Sequence, residues 1–392
     1  MEEDKKKKKI NEEEEEASAT KNLPEDVIPD ILSRLPVKSL LRFRCVCKPW
    51  CDLITDPAFV KMHLNRSLAC NSNLSLIFKY PNLLSMDLDV CEQQKAVELD
   101  HPLKSPNNGT KVVGSCNGLL CLFNSDKDIC LWNPSTKRHQ KLPITPIEFP
   151  ITFTLYRYIA YGFGYDPTTE DYKLVRVVRS YGIDDYSGNI EVKVYSLSTN
   201  SWRRIGDLPF HHTYIYGFGL LANSALHWVD TDSKFIVSFD IKDEEFGGVP
   251  LPDFVQDEFS WNVGVLGGQL CLVCRFFGVC VEVWMMKDYG VSYSWEKLFS
   301  IQHLWVTTSH DYIMPICYSK NGEVILQHYS EALILYDPHG DRVRFLGIHG
   351  APDPEKSRTQ ICVGSLVPLN AKDGTKQPKR KKRADVGHVE LL

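Results

Sequence analysis

No run of about 18 apolar residues occurs in the 392-residue chain, so a membrane-spanning helix is not expected. The first 21 residues, dominated by KKKKK and EEEEE, also lack the apolar stretch of a secretory signal. On these two absences the chain is expected in the nucleus and cytoplasm, with no membrane partner. Clustered positive charge is missing from the middle of the chain, and the formal net charge is −5. General nucleic-acid binding, which relies on grouped Lys and Arg, is not expected of it.

Recognisable catalytic and metal-ligand spacings are equally scarce. Cys271 and Cys274 form a lone C-x-x-C without a second pair, and the surrounding QLCLVCRF reads as a buried strand. Gly114-Ser115-Cys116-Asn117-Gly118 has the outline of a nucleophile elbow, but it precedes LLCLF where an amphipathic helix is required, so a β-turn is expected. Ser309-His310-Asp311 holds the residue types of a hydrolase triad, yet neighbours in sequence point apart. His211-His212 reads as a polar loop. GFG at 162–164 and again at 217–219 lacks the spacing and following helix of a dinucleotide fingerprint. No catalytic residue, metal or cofactor is therefore assigned. The thirteen cysteines, set in apolar runs and in a reducing compartment, read as small buried hydrophobes and not as a disulfide framework.

What the chain does contain divides into four segments. Residues 1–21 and 371–392 are charged tails with too little apolar surface to order themselves. The second tail carries PKRKKR, in which Lys379, Arg380, Lys381, Lys382 and Arg383 form a basic run of the kind nuclear import receptors read. Between the tails, residues 22–66 read as helical and 68–370 as strands. In the helical segment Ile28, Ile31, Leu32 and Leu35 fall at i, i+3, i+4 and i+7 on one face, ended by Pro36. The regular helix is expected to start at Pro29, a second to cover Leu40, Leu41, Phe43 and Arg44, and a third to begin near Pro49. The chemistry fits a mainly β protein with a small N-terminal α module.

A single phrase recurs through the β segment: an apolar strand ending in an aromatic, a polar turn, then a second strand. ICLWNPSTKRHQKLP, VKVYSLSTNSWRRIGDLP and LILYDPHGDRVRFLGI are its clearest copies. Taking Met86, Trp132, Tyr195, Phe239, Trp284 and Tyr336 as equivalent anchors gives spacings near the 40–50 residues of a four-stranded propeller blade. The longest spacing holds an extra hairpin, GFGYDPTTEDYKLVRVV, expected to join the Tyr195 hairpin in one enlarged blade. A propeller of about six blades is expected, seven being possible; a β-sandwich is the alternative, since weak copies do not establish radial closure.

The helical stretch resembles an F-box through Leu23-Pro24, ILSRLP, VKSLLRFRCVCKPW and LITDPAF. Residues from about Val112 to Gly350 resemble the F-box-associated, kelch-like domains of plant F-box proteins through GSCNGLLCL, LWNPSTKRHQKLP and YGFGYDPTTEDYKLVRV. The turn departs from the DP pattern at Ser196-Leu197. This resemblance implies an F-box three-helix module that binds a Skp-family adaptor and, through it, a cullin-RING ligase. It places Leu23, Pro24, Ile28, Ile31, Leu32, Leu35, Pro36, Leu40, Val46 and Trp50 between internal packing and adaptor contact, undivided. The target protein is unidentified. The segments 145–160 and 179–190, rich in Tyr, Phe and Ile, make Tyr156, Arg157, Tyr158, Tyr181 and Tyr186 the expected target-binding residues.

Overall fold

The structure is a computed structural model that describes residues 27–80, 82–88, 96–105, 109–148, 156–182, 189–206, 208–209, 215–230, 235–255, 260–302, 313–328, 332–346 and 359–369. Four helices open it: α1 (Val27–Ser33), α2 (Val37–Phe43), α3 (Lys48–Thr55) and α4 (Pro57–Ala69). α1 starts two residues before Pro29. The ring is accommodated because first-turn N–H groups have no intrahelical acceptor to lose. The expected three-helix module is thus a four-helix one. Asp56 begins the additional helix by accepting from the N–H groups of Ala58 (2.8 Å) and Phe59 (3.1 Å), with Pro57 in the first position. From α4, His63 Nε2 donates to the Leu35 carbonyl (2.9 Å) and Arg66 pairs with Asp30 (2.7 Å), so α4 fastens α1 to the turn that follows it.

The remaining described chain forms six sheets, antiparallel except for one added edge strand, arranged as six blades. Second to sixth blades begin with inner strands Lys111–Cys116, Tyr156–Asp166, Leu220–Ala222, Ser260–Leu266 and Ile313–Tyr318. In the first blade the inner strand comes from the other end of the chain, where Gln360–Val363 pairs with Leu74–Tyr80 in the register Leu74↔Val363 to Ile77↔Gln360. Separate apolar clusters fill the gaps between neighbouring blades, including one between the fifth and sixth and one between the sixth and first. That ring of interfaces excludes a two-sheet sandwich. The enlarged blade is the third, where Tyr156–Asp166 and Asp171–Tyr181 join Asn189–Ser196 and Ser201–Arg204, with Gly217–Phe218 added in parallel on the inner edge.

All six anchors lie on the third strand of their blades, opposite Leu76, Leu120, Leu174, Leu226, Leu272 and Val324 respectively. Five are buried. Trp284 is half-buried because a bulge between Val283 and Trp284 shifts it against Phe254, 4.3 Å between ring centroids. In the second, fourth and sixth blades the residue after the anchor caps the following turn. Asn133 Oδ1 accepts from Ser135 N and Thr136 N, and Asp240 Oδ1 accepts from Lys242 N and Asp243 N. Where Ser196 breaks the pattern, Asp171 of the adjacent strand reaches in and accepts from Ser198 N (2.9 Å).

The helices and the propeller share one core. Leu32, Val37, Leu40 and Ile54 belong to the same buried cluster as Leu119, Val363, Leu366, Val367 and Leu369. Residues 364–369 leave the closing strand as a strap between the second blade and the helices, and buried Asn133 holds it by donating from Nδ2 to the carbonyls of Ser365 (3.1 Å) and Val367 (3.0 Å). The strap also fixes the GSCNG turn: a Cβ on Gly118, which has φ +81°, would strike Ser365 and the Val363 carbonyl.

Candidate functional site

Strand direction alternates across each blade, so the turns joining first to second and third to fourth strands all lie at one end of the propeller. The helices sit at that end, where Lys61 of α4 pairs with Glu170 of a third-blade turn (2.7 Å). The molecule therefore presents two separated faces: the outer surface of the helices, and the opposite end of the ring.

On the helical face the structure divides the apolar residues that sequence left undivided. Leu32 (2% exposed) and Leu40 (0%) are internal, whereas Ile31 (43%) and Val46 (62%) face solvent. Pro36 is exposed, and Ile28, Leu35 and Trp50 are partly buried against the core, the Trp50 and Phe43 rings meeting edge to face with centroids 5.5 Å apart. Leu23 and Pro24 lie outside the described residues. Exposed Val27, Met62 and Leu68 were not singled out from the sequence. The cysteines are not all buried, as the sequence led one to expect. Seven of the twelve described, all free thiols, are buried, but Cys45, Cys47 and Cys70 are exposed, because two lie in the α2–α3 turn and one beyond α4 where no second layer covers them.

At the opposite end, Tyr156 pairs across the third blade with Tyr181, and Tyr158 with Arg179. These four share one face of the hairpin. The rings of Tyr158 and Tyr181 meet edge-on at 6.1 Å, and the Arg179 guanidinium lies 5.2 Å over Tyr181. Arg157 is on the other face, its Nε donating to Ser180 Oγ (3.2 Å). Tyr156 is 65% exposed. Three of the five residues expected to bind a target, Tyr156, Tyr158 and Tyr181, are thus brought together on one face, and Arg157 is turned to the other; Tyr186 lies outside the described residues. Arg179 escaped sequence reading because nothing in RVVRSY distinguishes it from Arg176. A buried network holds the approach to this hairpin. Arg176 and Glu191, both fully buried, pair at 2.6 Å, and Arg176 also donates to the Thr145 carbonyl while Glu191 accepts from Glu148 N.

Three of the motifs considered for chemistry lie among the described residues and have structural roles there. Asn117 and Gly118 form the tight turn between two strands, and burial pushes the Cys116 thiol up to about 12, far from a reactive thiolate. Cys271 and Cys274 lie three apart on one strand and therefore point into different inter-blade clusters. The two GFG motifs pack around one tryptophan, since a Cβ at Gly162 or Gly219 would meet the Trp228 indole. Ser309, His310, Asp311, His211 and His212 fall outside the described residues, as do Lys379, Arg380, Lys381, Lys382 and Arg383. Among the described residues, no group of three or more His, Cys, Asp or Glu is placed to hold a metal.

His227, on the fourth blade, is buried with Nε2 2.7 Å from the Tyr289 hydroxyl, and burial pushes its pKa down to about 4. A cavity of about 540 Å³ runs along the ring axis; no charged side chain lines it, and Leu68 and Asn71 form part of its wall at the helical end.

Residues 21–62 match the F-box domain family, and residues 74–368 match the family described as F-box associated beta propeller domain. The chain is 37% identical over 371 residues to F-box protein CPR1 of Arabidopsis thaliana, covering 88% of each. It is 33% identical over 383 residues to F-box protein At4g22390 of the same plant, covering 92% of this chain and 93% of that one. F-box/kelch-repeat protein At3g23880, also from Arabidopsis thaliana, is 32% identical over 341 residues, covering 83% and 90%.

Proposed function

Because the chain belongs to the plant F-box proteins with an F-box associated β-propeller domain, we propose that it is the substrate-recognition subunit of an SCF (Skp–cullin–F-box) ubiquitin ligase. The observation that carries this reading is the placement of two exposed surfaces at opposite ends of one rigid core. Ile31 and Val46 belong to the helical end, and the Tyr156–Tyr181 hairpin to the other. In this reading the helical module docks a Skp-family adaptor and, through it, a cullin-RING ligase, while the far end holds a target protein for ubiquitination and proteasomal degradation. The protein is a non-catalytic receptor. Its contribution is effective concentration: a target lysine is held beside a ubiquitin-loaded conjugating enzyme, and no side chain of this chain touches the reacting bond.

Affinity purification of the full chain from plant cells treated with a proteasome inhibitor tests the reading. Adaptor and cullin are expected together, with ubiquitinated proteins whose recovery falls when Tyr156 and Tyr158 are replaced by alanine. Recovery of adaptor without cullin would place the protein outside a ligase, and recovery of neither would end the proposal. The tail Lys379–Arg383 is proposed to bias the protein toward the nucleus within a nuclear and cytoplasmic distribution. Replacing those five residues with alanine should move a fluorescent fusion toward the cytoplasm, and an unchanged distribution would remove this role.

A further inference from the structure

The segment VKSLLRFRCVCK, residues 37–48, contains four cations and no carboxylate, in a chain whose net charge is −5. It spans α2, the turn and the first residue of α3. Lys38, Arg42 and Lys48 are exposed and Arg44 is partly so. Among the described residues none of the four makes an ion pair, whereas on the same module Arg34 and Arg66 pair with Asp30 and Lys61 pairs with Glu170. Asp52, one turn beyond Lys48, is not engaged with it.

Folding gives Lys38 and Lys48 no reason to be cationic, whereas Arg42 and Arg44, at the C-terminal end of α2, stand where the helix dipole favours positive charge. Lys38 and Arg42 are i, i+4 neighbours on one exposed face, where like charges repel. Lys38 lies in the first turn of α2 and Lys48 is the first residue of α3, the ends at which the helix dipole disfavours positive charge and no acidic residue is present. The penalties at Lys38 and Lys48 are small and share one sign. Within this patch Val46 is 62% exposed.

We propose that this patch is an electrostatic docking surface for an acidic protein, the carboxylate-bearing face of the adaptor. The cations steer association and Val46 supplies the apolar contact that retains it. The inference rests on the adaptor reading above and adds the chemistry of the surface that meets this chain. Uncompensated charge beside the exposed Val46 fits a folded acidic protein, which offers both carboxylates and apolar surface, better than a polyanion, which offers charge alone.

Association kinetics of the full chain with purified adaptor test the proposal. The association rate should fall about tenfold or more between roughly 50 and 300 mM salt. Combining Lys38→Glu with Lys48→Glu should lower it by about tenfold at low salt while changing the dissociation rate less than about threefold. The same variant should melt at an equal or higher temperature, because each glutamate falls at a helix N-terminus. That combination separates docking from a structural role. Binding that is insensitive to salt and to charge reversal would overturn the electrostatic surface while leaving the ligase reading intact. Absence of adaptor binding by the native chain would overturn both. If anionic vesicles or duplex DNA proved to be the charge-dependent ligand, with adaptor binding unaffected by the reversal, the proposed occupant would be wrong.

Discussion

Asn133 shows how far one atom can decide a residue. Its Oδ1 caps a turn as the aspartates of the other hairpins do, but its Nδ2 holds the strap by two carbonyls, and a carboxylate has no hydrogen to donate. Asn133→Asp would bury an anion facing two carbonyl oxygens. It should lower stability by about 2–4 kcal/mol, read as a fall in melting temperature. Asp337→Asn, at a turn where only the capping oxygen is used, should stay within about 0.5 kcal/mol; equal effects at the two sites would contradict this account. His227 gives a prediction in pH. Its folded pKa of about 4 lies below the reference of 6.5, so the fold holds it neutral. Its contribution is complete above pH 6.5 and is lost as pH falls toward 4, amounting to about 3 kcal/mol at the lower limit. Plotting melting temperature against pH for the native chain and for His227→Gln should show the native curve falling more steeply in this window, and parallel curves would exclude the effect.

Among the elements, the blades were the more legible. The anchor recurs in every blade because it lies on the third strand opposite one apolar position, Leu in five blades and Val in the sixth, so even Met86 and Phe239 mark the right strand. The helical module was less legible at its surface. Periodicity put Ile31 and Leu32 on one stripe, and which of them faces inward depends on α4, which the sequence reading did not treat as a helix although Asp56-Pro57 announces its start. Arg66, His63 and Phe59 on α4 select the Leu32 side for burial. Substitutions on the two sides should therefore differ in kind. Ile31→Asp together with Val46→Asp should weaken adaptor binding about a hundredfold or more without changing the melting temperature by more than a few degrees. Leu32→Asp should instead destabilise the module by about 3 kcal/mol or more, since it buries a charge. Circular dichroism melts and adaptor titrations on the same samples distinguish the two, and a stable Leu32→Asp protein would show that α1 is packed differently.

For the whole molecule, closure and attachment depend on the same short stretch. Residues 360–369 supply the inner strand of the first blade and then Leu366, Val367 and Leu369 to the core beneath the helices. Val363 and those three, at about 1.5–3 kcal/mol each, represent roughly 6–12 kcal/mol, comparable to the entire stability of a typical domain. Truncation after residue 358 should abolish cooperative thermal unfolding, whereas truncation after residue 370 should leave one transition with an unchanged midpoint. Two well-separated transitions in the native chain would mean that helices and propeller are independent. Charge patterning and turn chemistry made the domain order readable, but no local signal reveals that VGSLVPL serves two domains, because its partners lie more than two hundred residues away.

The closing strand also orders events in time. During synthesis the first-blade strands Leu74–Tyr80 and Asn82–Asp87 leave the ribosome long before Gln360–Val363 exists, and the helices emerge before the strap that completes their platform. The ring can close only after translation has passed residue 369. A nascent or prematurely terminated chain holds the helices on an unfinished support, so the adaptor docking proposed above would become available only to polypeptides that have been read to the end of the propeller.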